Sequence, residues 1–249
     1  MIRFFIFVSF LSLIACGENK SVTQKITASQ TTVSDSIPAD AEIEAFIAPY
    51  KNRIDQEMDS VLAYAPATYT KSNGEYNTAI GNMMADAVLE LADTIFAART
   101  GKHIDAVLLN SGGIRAPINK GNITTRSAYQ LMPFENSLVV VELDAQMIQA
   151  MFEYLSCGKA HPISGMEIEL DDNGKLANNT IHGEPLDDSK TYFIATSDYL
   201  QNGGDGMEFL TDPVSKTDLD YKIRNILIDY FSKYDTIAPV RDSRFIKRD

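Results

Sequence analysis

The stretch Asp105-Ala-Val-Leu-Leu-Asn110-Ser-Gly-Gly-Ile-Arg115-Ala-Pro-Ile118 decides how the rest of the chain is read. Its first half is a short, near-continuous apolar run, the pattern of a central strand buried on both faces. The run ends at Asn110 and passes into Ser111-Gly112-Gly113, where missing Cβ atoms let the backbone turn sharply and expose its amides. Asn110 and Arg115 project polar groups beside that bare backbone. A planar guanidinium can grip phosphate or ribose oxygens with paired hydrogen bonds. The same spacing equally fits a tight turn in which Arg115 makes a structural ion pair.

Working outward, Ile80, Met83, Met84, Ala87, Val88, Leu91, Ile95 and Phe96 form the apolar face of a helix over Ile80–Arg99, capped by Asn77 or Thr78. Gly81 in its first turn suggests a close approach to backbone or ligand. Upstream, Ile43, Phe46, Ile47, Tyr50, Ile54 and Met58 fall at helical spacings over Ala39–Met58. Val61–Thr70 reads as a strand region with Pro66 at an edge or bend, followed by a turn at Ser72-Asn73-Gly74. Downstream come a helical turn at Ser127–Leu131, a strong strand at Ser137–Leu143 and an amphipathic helix at Asp144–Tyr154. Strands are expected at Gly165–Leu170 and Thr191–Thr196, separated by a turn at Asp171–Gly174. A last long helix is expected at Leu219–Tyr234. Helices and strands in roughly equal measure fit an α/β or mixed α+β layered sandwich.

The N-terminus reads separately. Arg3 precedes an apolar run from Phe4 to Ala15, too short for the ~20 residues a membrane span requires but suited to a signal peptide. Leu13-Ile14-Ala15-Cys16 resembles a bacterial lipobox, in which Cys16 is lipidated after residues 1–15 are removed. Residues 16–38, rich in Ser, Thr, Gln and Lys, have too little apolar surface to offset ordering and read as a tether. Residues 39–249 are then expected to form one domain, held at the bacterial cell envelope by its lipid, periplasmic or surface-exposed. The net charge of −12 argues against nucleic acid or an anionic membrane face as partner. With Cys16 assigned to the lipid, Cys157 is left without a disulfide partner and reads as an inert, partly buried thiol.

Two further loops carry candidate residues. In Met132-Pro133-Phe134-Glu135-Asn136 the proline fixes the direction of the Phe134 ring, although most such rings pack in a core. In Ser197-Asp-Tyr199-Leu-Gln-Asn-Gly-Gly204-Asp205-Gly206, three glycines surround one carboxylate. Asp205 there can accept from both hydroxyls of a ribose; an Asx-turn bond to its own backbone is the simpler alternative.

Taken in order, these segments resemble the C-terminal domain of the 5′-nucleotidase/UDP-sugar hydrolase/2′,3′-cyclic phosphodiesterase family. Asn110-Ser-Gly-Gly-Ile-Arg115, Met132-Pro-Phe134, Tyr199-Leu-Gln-Asn-Gly-Gly204-Asp205-Gly206, Ile80-Gly-Asn82 with Ala85-Asp-Ala87, and Ser164-Gly165 match its motifs, from about Gly74 to Phe209. The resemblance implies a four-layer α/β/β/α sandwich in which Phe134 and Tyr199 stack on a nucleobase. It also implies that Asp205 holds the ribose, with Asn110, Gly112, Gly113, Arg115 and Gly204 completing the site. Two departures stand out: Lys71-Ser-Asn-Gly-Glu-Tyr76 has no arginine where relatives carry one, and one stacking ring is Tyr rather than Phe.

Family hydrolysis uses two divalent metals held by a separate domain dense in His, Asp and Asn. This chain has only His103, His161 and His182, none in such a context, and His103 and His161 read as solvated loop residues. No Ser-His-Asp set stands out either. The expectation is therefore a substrate-binding half with no catalytic residues, no metal ligands and no cofactor of its own. It would capture a nucleotide or nucleoside for a separately encoded metallophosphatase. A stand-alone nucleoside-scavenging protein and a degenerate interaction module are the alternatives.

Overall fold

The computed structural model describes residues 27–248; the signal-peptide and lipidation expectations at residues 1–16 lie outside them. Two compact units are distinguished, Met1–Ala48 and Pro49–Asp249. Of the first, residues 27–40 are exposed and form no helix or strand. The helix α1 (Ala41–Met58) arises where the apolar spacing places it, yet none of its side chains is buried. Its C-terminal end is held by Arg126, which donates to Asp55 at 3.0 Å and to Asp59 at 2.8 Å.

The second unit is built around a five-stranded sheet of β2 (Ala106–Leu108), β4 (Ser137–Asp144), β5 (Ile163–Ser164), β8 (Thr191–Ser197) and β9 (Ser215–Lys222), ordered β5-β2-β8-β4-β9. The central strands are buried on both faces, and their side chains alternate between two cores. Val107, Leu138, Val140 and Ala195 point into one core with the helices α2 (Ala79–Thr100) and α6 (Ile223–Lys233). Ala106, Leu108, Val139, Val141 and Ile194 point into the other. That second core joins α4 (Ala145–Ser156) to a three-stranded sheet of β6 (Met166–Leu170), β7 (Leu176–Ile181) and β10 (Phe245–Lys247), ordered β10-β6-β7. Sheets and helices packed in layers make this the mixed α/β architecture the sequence implied. A small sheet of β1 (Val61–Ala65) and β3 (Gly121–Thr124), with α3 (Thr125–Leu131), closes one side.

Capping decides where the site-bearing helices begin. Thr78 accepts from the Gly81 amide at the start of α2, and Asp144 from the Met147 amide at the start of α4, each satisfying an otherwise orphaned donor. Gly81 is needed for packing rather than for a ligand: a Cβ there would lie 2.9 Å from the Thr78 hydroxyl and 3.5 Å from Pro162.

Three expectations require correction. The helix expected over Leu219–Tyr234 starts only at Ile223, because residues 215–222 form the edge strand β9, paired antiparallel with β4. Leu219 points to the core between exposed Asp218 and Asp220, a period of two rather than 3.6. The turn at Asp171–Gly174 joins β6 to β7 instead of leading directly to residues 191–196. Cys157 is exposed, at the C-terminal end of α4.

Candidate ligand cleft

Three loops converge at the ends of β2, β4 and β8. Asn110 leads from β2 into a 3-10 turn, Ser111–Gly113. The Phe134 loop runs between α3 and β4, and β8 continues through a short helical turn, α5 (Asp198–Gln201), into the Gly203–Gly206 loop. Between them lies a cleft of about 380 Å³ lined by Asn110, Gly112, Gly113, Arg115, Phe134, Asn136, Tyr199 and Asp205. Every residue expected from sequence is there except Gly204, and Asn136 is the addition.

Asp205 is the hub. It adopts the left-handed region at φ 55°, between Gly203 at 85° and Gly206 at 75°, a conformation uncommon for a side-chain-bearing residue. The surrounding bonds hold it there: the Tyr154 hydroxyl donates to its carbonyl at 2.9 Å. Its carboxylate receives the Asn110 amide at 2.7 Å on Oδ2 and the Tyr199 hydroxyl at 3.0 Å on Oδ1. These partners lie across the cleft floor, so the Asx-turn alternative does not describe this residue. Gly204 acts from behind: a Cβ there would meet the Tyr199 ring at 2.5 Å, so only glycine leaves the ring its place. Cβ atoms on Gly112 or Gly113 would likewise press on the Asn110 amide at 3.1 Å.

The two rings are presented rather than packed away, Phe134 being 41% and Tyr199 46% exposed. Phe134 is held through its backbone. Arg224, only 5% exposed, donates to the Phe134 carbonyl at 3.4 Å, pairs with the Glu135 carboxylate and lies 4.1 Å above the Tyr129 ring. Lys222 adds a bond to the Glu135 carbonyl at 2.7 Å. The Arg224 hydrogen bond holds the Glu135 carboxyl below its ordinary range. Asn136 donates to Asp198 at 3.0 Å, and the same carboxylate oxygen accepts the Tyr199 amide at 2.8 Å, so the loops bearing the two rings are tied together.

Arg115 is the one basic side chain lining the cleft, its guanidinium 5.9 Å from the centre of the Phe134 ring. It forms no ion pair among the described residues, so the structural-pair alternative is not realised. Behind the glycine turn lies His161, which is 4% exposed and not the solvated loop residue expected. Its Nδ1 accepts from the Ser111 amide at 3.3 Å, and its ring lies 5.8 Å from that of Tyr154. Burial holds its pKa below the ordinary histidine value, against the opposing pull of Asp205.

A wider open groove, about 850 Å³, runs between α4 and β7, but acidic and amide side chains line it without an aromatic ring or a cation. Among the described residues no group of three or more His, Cys, Asp or Glu is arranged to hold a metal ion. No helix among them is long and apolar enough to cross a membrane.

A family model described as 5′-nucleotidase, C-terminal domain, matches residues 59–212. The mouse 5′-nucleotidase is 28% identical over 242 residues, covering 85% of this chain and 41% of the relative. The 5′-nucleotidase of Vibrio cholerae is 24% identical over 248 residues, covering 94% and 41%. In three dimensions the 5′-nucleotidase precursor of Thermus thermophilus superimposes with a TM-score of 0.67 at 24% identity, over 84% of this chain and 44% of that one. The NAD nucleotidase of Haemophilus influenzae gives 0.63 at 20% identity, over 84% and 42%. The chain thus spans about two fifths of the length of these relatives. The matched segment contains all three loops of the cleft, and the chain belongs to the 5′-nucleotidase C-terminal domain family.

Proposed function

We propose that this domain captures a nucleoside or nucleotide in the Phe134–Tyr199 cleft for nucleotide catabolism. The observation that carries the reading is that two exposed rings, an oriented carboxylate and an unpaired guanidinium, far apart in sequence, line one cavity. The rings would stack on the base, at about 1–3 kcal/mol per contact and with tolerance for several bases. Asp205 would accept from the ribose hydroxyls through the lone pairs that Asn110 and Tyr199 leave free. Arg115 would meet a phosphate oxygen.

Phosphate hydrolysis is assigned in this reading to a metallophosphatase domain outside residues 39–249, on a separate protein that holds the two metals. The relatives' name, 5′-nucleotidase, supports the substrate class. Lipidation at Cys16 would hold the domain at the cell envelope, and the net charge of −12 argues against nucleic acid as the main partner.

Calorimetric titration of the full chain with adenosine and AMP in EDTA tests the binding. Heat of binding that disappears in Phe134→Ala and Asp205→Ala is the expected result. Failure of adenosine, uridine, guanosine and their monophosphates alike would overturn the reading.

A further inference from the structure

The hydroxyl of Tyr199 is not required for stacking, which a phenylalanine ring would perform equally well. In the structure it has a definite use: it donates to Asp205 Oδ1 at 3.0 Å while Asn110 donates to Oδ2 at 2.7 Å. The carboxylate is thereby gripped once on each oxygen, and each oxygen keeps one lone pair. Two oxygens of one carboxylate, each with an acceptor to spare, are what two vicinal hydroxyls would address. The Asp205 backbone is secured separately, through its carbonyl to Tyr154 and by the glycines on either side. The Tyr199 ring is fixed against the Gly204 backbone. Ring and carboxylate therefore form one assembly, and rotating the carboxylate means breaking the bond to the ring.

Resting on the proposed capture of a nucleoside, we propose that Tyr199 is a specificity-determining residue. Its hydroxyl orients Asp205 so that both carboxylate oxygens face the sugar, and thereby sets the preference for ribose over 2′-deoxyribose. A bond between hydroxyl and carboxylate is charge-assisted, stronger than a bond between neutral groups, so its loss has a measurable effect on the carboxylate's orientation. The base, which touches the ring face and not the hydroxyl, does not register the loss. The role is one of positioning as well as stacking, and the two are separable because the phenylalanine variant removes only the first.

The test is calorimetric titration of the full chain and its Tyr199→Phe variant with adenosine and 2′-deoxyadenosine. Tyr199→Phe is expected to weaken adenosine binding by about tenfold, as loss of one charge-assisted bond implies. Deoxyadenosine should change by less than about twofold, so that the ribose preference collapses. A general loosening of the loop would weaken both ligands together and leave the ratio intact. Wild-type chain that binds adenosine in an Asp205-dependent manner, with an unchanged ratio or tighter adenosine binding in Tyr199→Phe, overturns this inference alone. Wild-type chain that binds neither ligand overturns the proposed function, and this inference with it.

Discussion

Two regions of the molecule display the same kind of motif, polar residues around glycines at the end of a helix or strand, and use it in opposite ways. At the start of α2, Asn82 donates to Asn77 at 3.1 Å and to the Val240 carbonyl at 3.1 Å, while Asn77 donates to the carbonyls of Asp242 and Phe245. One turn on, Asp86 takes both terminal nitrogens of Arg244, at 2.7 and 3.0 Å, and the Ser164 hydroxyl at 2.6 Å. The polar groups at this end are turned inward and consumed by the C-terminal segment. In the cleft, Arg115 has no carboxylate partner among the described residues, two rings are exposed, and Asp205 accepts one bond on each oxygen. Residue types do not separate a brace from a binding site; whether their hydrogen-bonding capacity is already spent does.

The comparison breaks most visibly at Arg244. Its side chain is 15% exposed, whereas its carboxylate partners are 42% and 40% exposed, which discounts the pair below the cost of a fully buried one. Arg244→Met should lower unfolding free energy by about 2 kcal/mol in urea denaturation, with adenosine affinity unaltered. Loss of affinity without loss of stability would mean that the brace belongs to the site.

Phe134→Ala should give the converse. The ring is half-exposed, so its removal should cost under about 1 kcal/mol of stability, while the heat of adenosine binding disappears. A collapse in stability with binding preserved would identify Phe134 as a packing residue.

The smallest expected effect concerns His161, whose folded pKa lies below the unfolded value of 6.5. Between those values the unfolded chain binds the proton and the folded chain does not. Its contribution is therefore present above pH 6.5 and declines as pH falls toward the folded pKa. Thermal melts from about pH 7 to 5.5 should show a decline that is shallower in His161→Gln, whose amide oxygen can still accept from Ser111. Identical slopes would mean that His161 does not titrate below its ordinary value in the folded chain.

Much of the fold was legible because the strongest patterns coincide with the best-buried elements. β2, β4, β8, α2 and α4 announce themselves through apolar runs or helical spacing, and together they form the two cores. The elements that escaped are edge or short strands. β7 contains Leu-Ala-Asn-Asn-Thr-Ile, with asparagines that disfavour a strand until β6 supplies the ladder. β9 alternates with period two but runs directly into α6, so the expected helix takes in the last half of the strand, residues 219–222.

The apolar stripe of α1 shows the opposite limit. Periodicity identified the helix, but no spacing specifies what covers its face, and Ile43 and Ile54 are 60% and 57% exposed. In the cleft, each loop read alone left a bland alternative open; the resemblance of the three segments in order to one family singled out the residues that line one cavity. Arg224, Tyr154 and His161 left no local trace. Each acts through a partner distant in sequence, at Glu135, Asp205 and Ser111.

The most direct test of the account is a crystal structure of the chain with adenosine. The adenine is expected between Phe134 and Tyr199, with both ribose hydroxyls on Asp205. Adenosine bound elsewhere, or electron density in the cleft with the ribose turned away from Asp205, would contradict it.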